Sequence, residues 1–366
     1  MATTLANHIK KSVPVNAPPR EYEMLIKSIP KNTLNVYQTA FNTYKRVMGV
    51  ELDFENPTQI TPKNIVDFIV NVNNKNGKPP AYSTLMVHLS GLRTYCKITG
   101  QEDATIAPEV DTAKKQYGKW QGKRQKRKNL LTENEIFKII KFFKDQKTVL
   151  AERNALILLI AWYGAARRGE IANLKIENIK SYENGIVIFL ERCKTDQTGE
   201  KNYCLYLPFS NNEYCPAKLL DKWLAHLKSF GITSGYLFRR MARSGYINLK
   251  NNPLSGVTIN NVFKEGLKSV GLDEKKYSIH CIRGSAAKTA YINTRDFLQI
   301  QRTGRWERPE TITKYYIDFE NDEFLKDHPL LPKGAKPKQA NIRQKRSKQP
   351  KSLLRPATTS SGNNSL

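Results

Sequence analysis

Residues 155–174 read ALILLIAWYGAARRGEIANL. The first nine, Ala155–Tyr163, are apolar all round, which predicts a buried helix rather than an amphipathic surface one. Arg167 and Glu170 follow, one helical turn apart. Upstream, Leu131-Thr132-Glu133-Asn134-Glu135-Ile136 starts a domain sharply. Thr132 and Glu135 form a capping box, Leu131 and Ile136 a hydrophobic staple, and Ile139, Ile140 and Phe143 continue at helical spacing. Downstream, Ile186–Leu190 and Tyr203–Leu207 are strand-like, joined by a polar turn, Lys194–Lys201, that contains Gly199. Pro216 begins a helix with Leu219, Leu220, Trp223, Leu224 and Leu227 on its apolar positions. The class is mostly α with a small β-sheet (α+β), and no internal repeat is visible.

The stretch before residue 106 is helical. Thr33 is read as the cap of a helix carrying Leu34, Tyr37, Phe41, Tyr44 and Met48, and Thr61-Pro62 opens a second with Ile65, Ile69 and Val72. Ser83 is read as opening a third, with Leu85, Leu89, Leu92 and Cys96, after the break at Pro79-Pro80. The expected layout is a flexible N-terminus (1–19), a helical domain (20–105), a basic linker (106–128), a second domain (129–332) and a disordered basic tail (333–366). Trp120 in the linker either stacks on a base or packs on a domain edge, and packing is the preferred reading.

Charge narrows the function. Lys and Arg number 60 against 33 Asp and Glu, a net charge of +27 over 366 residues. Such a surplus implies a polyanionic partner, nucleic acid first and an anionic membrane surface second. Eight of these cations and no acid lie in 112–131, and nine and no acid in 333–366. KRQKRK at 123–128 and RQKRSK at 343–348 read as DNA-binding runs or nuclear-import signals. The five cysteines, Cys96, Cys193, Cys204, Cys215 and Cys281, are scattered without ligand spacing, so neither a disulfide framework nor a zinc site is expected. No apolar run approaches the ~20 residues of a membrane span, and no secretory leader is seen. The expectation is an intracellular, DNA-associated protein, nuclear if the host is eukaryotic and otherwise in the cytoplasm or nucleoid. No Gly-rich phosphate loop, HExxH or GxSxG occurs, which argues against an ATPase, a zinc protease or an α/β-hydrolase.

What remains is a series of cations with aromatic residues: Arg167 with Glu170, Lys194 in the hairpin turn, His280 and Arg283 in SIHCIRGSAA, Trp306 in TGRWERP, and Tyr315-Tyr316 in TITKYYID on a helix begun by Pro309. Singly, each has an ordinary structural explanation. In this order and spacing they resemble the tyrosine recombinase family of phage-integrase type. That family has an Arg-x-x-Glu box after a hydrophobic helix, a lysine in a β-hairpin, a His-x-x-Arg box, then His or Trp, and a nucleophilic tyrosine about nine residues later. Arg167, Lys194, His280, Arg283, Trp306 and Tyr315 match these positions. Four departures stand out, one being Trp306 where His is more frequent. Ala165 replaces the usual Gly two residues before the first Arg, with Gly164 one place earlier. Arg168 adjoins Arg167 and permits a shift by one. Tyr316 rivals Tyr315 as nucleophile.

The resemblance implies a helical core-binding domain at 20–105 and a catalytic domain at 129–332, which together clamp duplex DNA. It implies a homotetramer on synapsed sites and cleavage through a 3′-phosphotyrosine, with no metal, cofactor or small-molecule substrate. The chemistry suits the residues. Two guanidiniums can fork onto the non-bridging oxygens of a phosphorane, and a phenol needs nearby cations to become a nucleophile. Lys194 is suited to protonate the leaving 5′-oxygen, and His280 to donate to the phosphate or to help deprotonate the tyrosine. Trp306 supplies an indole N–H and bulk, and Glu170 a buttress for Arg167. Lys123, Arg124, Lys126, Arg127 and Lys128 are the expected DNA-backbone contacts. Residues 319–330 are read either as a helix docking on a neighbouring copy or as one packing on its own domain. Integration of a virus or mobile element is the expected role. A type IB topoisomerase-like enzyme and a non-catalytic DNA binder derived from a recombinase are the alternatives.

Overall fold

The computed structural model describes residues 29–54, 56–123, 129–191, 196, 199–242 and 244–315. It divides into two compact units, Met1–Arg127 and Lys128–Leu366.

Among the described residues, the first unit has four α-helices: α1 (Lys31–Met48), α2 (Pro62–Asn71), α3 (Tyr82–Ile98) and α4 (Pro108–Gln121). Its core gathers Phe41, Tyr44, Ile65, Phe68, Leu85, Leu92, Tyr95 and Val110. Only α2 starts as the sequence suggests. The Thr61 hydroxyl accepts from the Asn64 N–H, the Asn64 side chain reaches back to the Thr61 N–H, and Pro62 fills the first turn. Helix α1 begins two residues before Thr33, and α3 begins at Tyr82. The flanking Pro30 and Ala81 make no side-chain cap, so Thr33 and Ser83 lie inside first turns rather than before them.

A larger correction concerns the linker. Within the expected basic linker at 106–128, residues 108–121 form helix α4. Pro108 at its first position, Glu109 and Asp111 in its first turn and buried Val110 and Tyr117 make it a helix packed against α2. The Tyr117 hydroxyl donates to the Pro80 carbonyl, 2.6 Å away. Trp120 is 70 % exposed, touching Tyr117 only edge-on, so the preferred packing reading is corrected too.

The second unit runs α5 (Glu133–Asp145), α6 (Val149–Tyr163), α7 (Arg168–Ala172), β1 (Ile179–Tyr182), β2 (Gly185–Phe189), β3 (Cys204–Pro208), α8 (Pro216–Ser229), α9 (Gly256–Ser269), α10 (His280–Thr294), α11 (Phe297–Gly304) and α12 (Glu310–Tyr315). The Thr132–Glu135 capping box opens α5, with both reciprocal hydrogen bonds present. Helix α6 is the axis of the core: Ala155 through Trp162 are all buried. Each fully buried Leu or Ile there contributes about 1.5–3 kcal/mol, so this one helix anchors the unit. The three strands form an antiparallel sheet in the order β1-β2-β3, with Ile186 opposite Leu207 and Ile188 opposite Leu205. Those four apolar residues turn inward, and β3 packs against α6 and α8. A satellite core of Ala165, Ala287, Ile300, Trp306 and Ile312 holds α10, α11 and α12 against the end of α6.

The readings on residues 1–19, on 319–330 and 333–366, and on Lys194, Arg124, Lys126, Arg127, Lys128 and Tyr316 fall outside the described residues. No described helix is long and apolar enough to cross a membrane.

Candidate active site

The end of α6 organises the site. Gly164 closes the helix, and Ala165 turns into the left-handed region at φ 41°. That region favours glycine, which gives a physical reason for a glycine at this position elsewhere. Arg167 then becomes the N-cap of the short α7. Glu170, three residues on, reaches back so that its Oε2 accepts from the Arg167 N–H at 2.8 Å and its Oε1 from the Arg167 guanidinium at 2.6 Å. The Arg-x-x-Glu spacing is thus the spacing of a helix N-terminus and its third residue. Arg167, not Arg168, is the partner of Glu170.

Arg283 comes from the first turns of α10 and is 1 % exposed. Its two terminal nitrogens donate to the carbonyls of Ala165 and Gly304. Its guanidinium lies 4.2 Å from the Trp306 ring centroid, a stacked cation–π pair. The turn that carries Arg167 therefore also holds Arg283. His280 is exposed at the first residue of α10, one turn before Arg283. Trp306 is buried in the satellite core beneath Arg283. Tyr315 is the last residue of α12, whose Ile312 is buried in that same core.

One residue escaped the sequence reading. Arg305, between Gly304 and Trp306, is buried. Its Nη2 donates to Glu170 Oε2 at 2.8 Å, and its Nη1 to the carbonyls of Gly164 at 2.9 Å, Thr303 at 2.8 Å and Cys204 at 3.3 Å. Glu170 is thus shared by two arginines. Burial pushes its carboxyl up, but Arg305, the Arg167 N–H and the Arg167 and Arg283 guanidiniums outweigh this and hold it below the ordinary carboxylate range. The sole sequence signal for Arg305 was stoichiometric: a carboxylate following an all-apolar helix is buried, and a buried carboxylate needs several donors.

Gly304 is required by shape. A Cβ there would fall inside the Trp306 indole. Gly304→Ala is expected to displace Trp306 from beneath Arg283 and cost about 3 kcal/mol. Thermal melting of the full chain checks this, and an unchanged midpoint would contradict the packing described.

A chain with a separate helical unit, and a second unit in which a His-x-x-Arg helix bonds the carbonyl just before an Arg-x-x-Glu turn beside a three-stranded sheet, has the architecture of a tyrosine recombinase. A profile of the phage integrase family matches residues 129–322, and the chain belongs to that family. It is a tyrosine-type site-specific recombinase, an enzyme of DNA cleavage and strand transfer; the topoisomerase and non-catalytic readings are not favoured. An integrase/recombinase XerD homolog of Selenomonas ruminantium is 25 % identical over 310 residues, covering 84 % of this chain and 86 % of that protein. A lambda integrase tetramer bound to a Holliday junction superposes with a TM-score of 0.55 at 15 % identity, over 87 % of this chain and 78 % of that one. XerH recombinase in a post-cleavage complex with its palindromic difH substrate gives 0.54 at 16 % identity, over 86 % and 80 %. At those identities the structural likeness is one of fold.

Proposed function

We propose that Arg167 and Arg283 bind the non-bridging oxygens of a scissile DNA phosphate while Tyr315 attacks its phosphorus. The observation that carries this reading is the convergence of both arginines on one turn, Arg283 through the Ala165 carbonyl and Arg167 through Glu170 two and five residues along. The tyrosine oxygen forms a bond to phosphorus, the bond to the 5′-oxygen breaks, and the phosphate becomes a 3′-phosphotyrosine. Lys194 gives its proton to the departing 5′-oxygen. The tyrosine proton passes to His280 or to solvent, His280 alternatively donating to the phosphate. Trp306 keeps Arg283 flat, and Glu170 keeps Arg167 in line. Attack by the 5′-hydroxyl of another strand reverses the bond changes and rejoins the DNA, so the phosphodiester energy is conserved and no ATP is consumed.

The substrate of this reading is duplex DNA. The charge of +27 supports it, as does the exposed Trp120 near the end of α4. Lys123, with Arg124, Lys126, Arg127 and Lys128 after it, would contact phosphates, and phosphate contacts make binding salt-dependent. We read the working assembly as a homotetramer on synapsed sites, on the analogy of the lambda integrase tetramer. We read its role as integration of a virus or mobile element, which the Asn/Lys-rich composition and the basic segment at 333–366 support.

The test is cleavage of a cognate site in EDTA without nucleotide. Covalent protein–DNA product should form at the same rate as with Mg²⁺ and ATP, because Arg167, Arg283 and Lys194 supply the charge. An absolute Mg²⁺ requirement for the cleavage step would contradict the reading.

A further inference from the structure

Of the two buried charges paired at the site, Glu170 holds Arg167 and Arg305 has no assigned task. The Arg305 side chain is 1 % exposed and that of Glu170 3 %, whereas Arg167 is 19 % exposed. Burying a guanidinium costs several kcal/mol unless it is well paired and hydrogen-bonded. Although its buried Nε makes no hydrogen bond, Arg305 goes most of the way by spreading its two terminal nitrogens over four elements. It donates to Glu170 on α7, to the Gly164 carbonyl at the end of α6, to the Cys204 carbonyl at the start of β3, and to the Thr303 carbonyl in α11. A weaker contact of 3.4 Å reaches the Ala165 carbonyl, the same oxygen that receives Arg283.

Unlike Arg283, Arg305 donates directly to the Glu170 carboxylate. Its influence passes through Glu170. Oε2 of that carboxylate holds the Arg167 backbone N–H and Arg305 together, and Oε1 holds the Arg167 guanidinium. Without Arg305, Glu170 keeps a buried negative charge and one strong partner, and its carboxylate is free to rotate toward whatever donor or water can replace the loss. Arg167, tied to that carboxylate at two points, moves with it.

We propose that Arg305 is a positioning residue: it locks Glu170 and thereby aims Arg167. This rests on the reading of Arg167 as a ligand of the scissile phosphate, and the experiment separates the two. Arg305→Met and Arg305→Lys are made in the full-length chain, each in the native background and with Arg167→Lys. Three quantities are measured: the single-turnover rate of covalent capture on a nicked suicide substrate, the Kd for the same DNA, and thermal melting.

Arg305→Met should slow capture about 10- to 100-fold, the cost of a small misplacement of a catalytic group, with Kd unchanged within about twofold. With Arg167→Lys already present, the same change should slow capture by no more than about twofold, since the orientation it maintains is already gone. Arg305→Lys can meet Glu170 but cannot fork onto the carbonyls, and should recover part of the rate. An equal loss in both backgrounds, or a loss of affinity equal to the loss of rate, would overturn the proposal. If Arg305→Met no longer melts cooperatively, Arg305→Lys carries the same cycle: a loss of rate confined to the native background supports the positioning role, and an equal loss in both backgrounds overturns it. If Arg167→Lys alone captures DNA at the native rate, the reading of Arg167 fails and the positioning role falls with it.

Discussion

Arg283→Met is expected to slow covalent capture about 10²- to 10³-fold, the usual cost of removing one preorganised donor to a developing charge. It should also destabilise the second unit. The native guanidinium satisfies the buried carbonyls of Ala165 and Gly304, and each buried acceptor left without a donor costs about 1–3 kcal/mol. Arg283 lies on Trp306 as well, so a further contribution of about 2 kcal/mol from the stacked pair is lost. Arg283→Lys should separate the two roles. Its ammonium keeps the charge but cannot bridge two carbonyls and a phosphate in one plane. Capture by Arg283→Lys should therefore remain impaired while much of the melting midpoint returns. Full activity in either variant would remove Arg283 from the proposed clamp.

The larger effect is expected at Tyr315. Tyr315→Phe removes one oxygen and leaves no nucleophile at that position. Covalent capture should vanish, while binding of the same DNA and thermal melting stay at native values. Tyr316→Phe should retain capture. The spacing of nine residues from Trp306 selects Tyr315. Capture by Tyr315→Phe at the native rate would assign the chemistry to Tyr316.

The parts of the fold that are legible in sequence carry a local rule. Thr132 and Glu135 announce α5 because a capping box satisfies two orphan donors at once. Ala155–Tyr163 announces a buried helix because no polar side is left for solvent. Arg167 and Glu170 are legible as a pair because three residues separate an N-cap from its partner. The failures have equally local causes. Strand β1 escapes because its last three residues, Lys180 to Tyr182, are exposed and show no alternation of apolar side chains. Helix α4 reads as a linker on its charge, although Lys and Gln are good helix formers and Val110 and Tyr117 suffice to dock it. Thr33 and Ser83 mislead because capping residues also occur within first turns. Arg305 escapes any local rule because its partners, Gly164, Cys204 and Glu170, lie 101 to 141 positions away in sequence. No periodicity encodes a buried ion pair between distant segments.

At the centre of the proposed mechanism is a phosphodiester transferred to one tyrosine. Trapping the protein on a nicked suicide substrate in EDTA, digesting the adduct and mapping the modified peptide by mass spectrometry tests it most directly. The expected product is a 3′-phosphonucleotide on Tyr315 with Tyr316 unmodified. DNA on Tyr316, or no adduct on either residue with a verified target site, would contradict it.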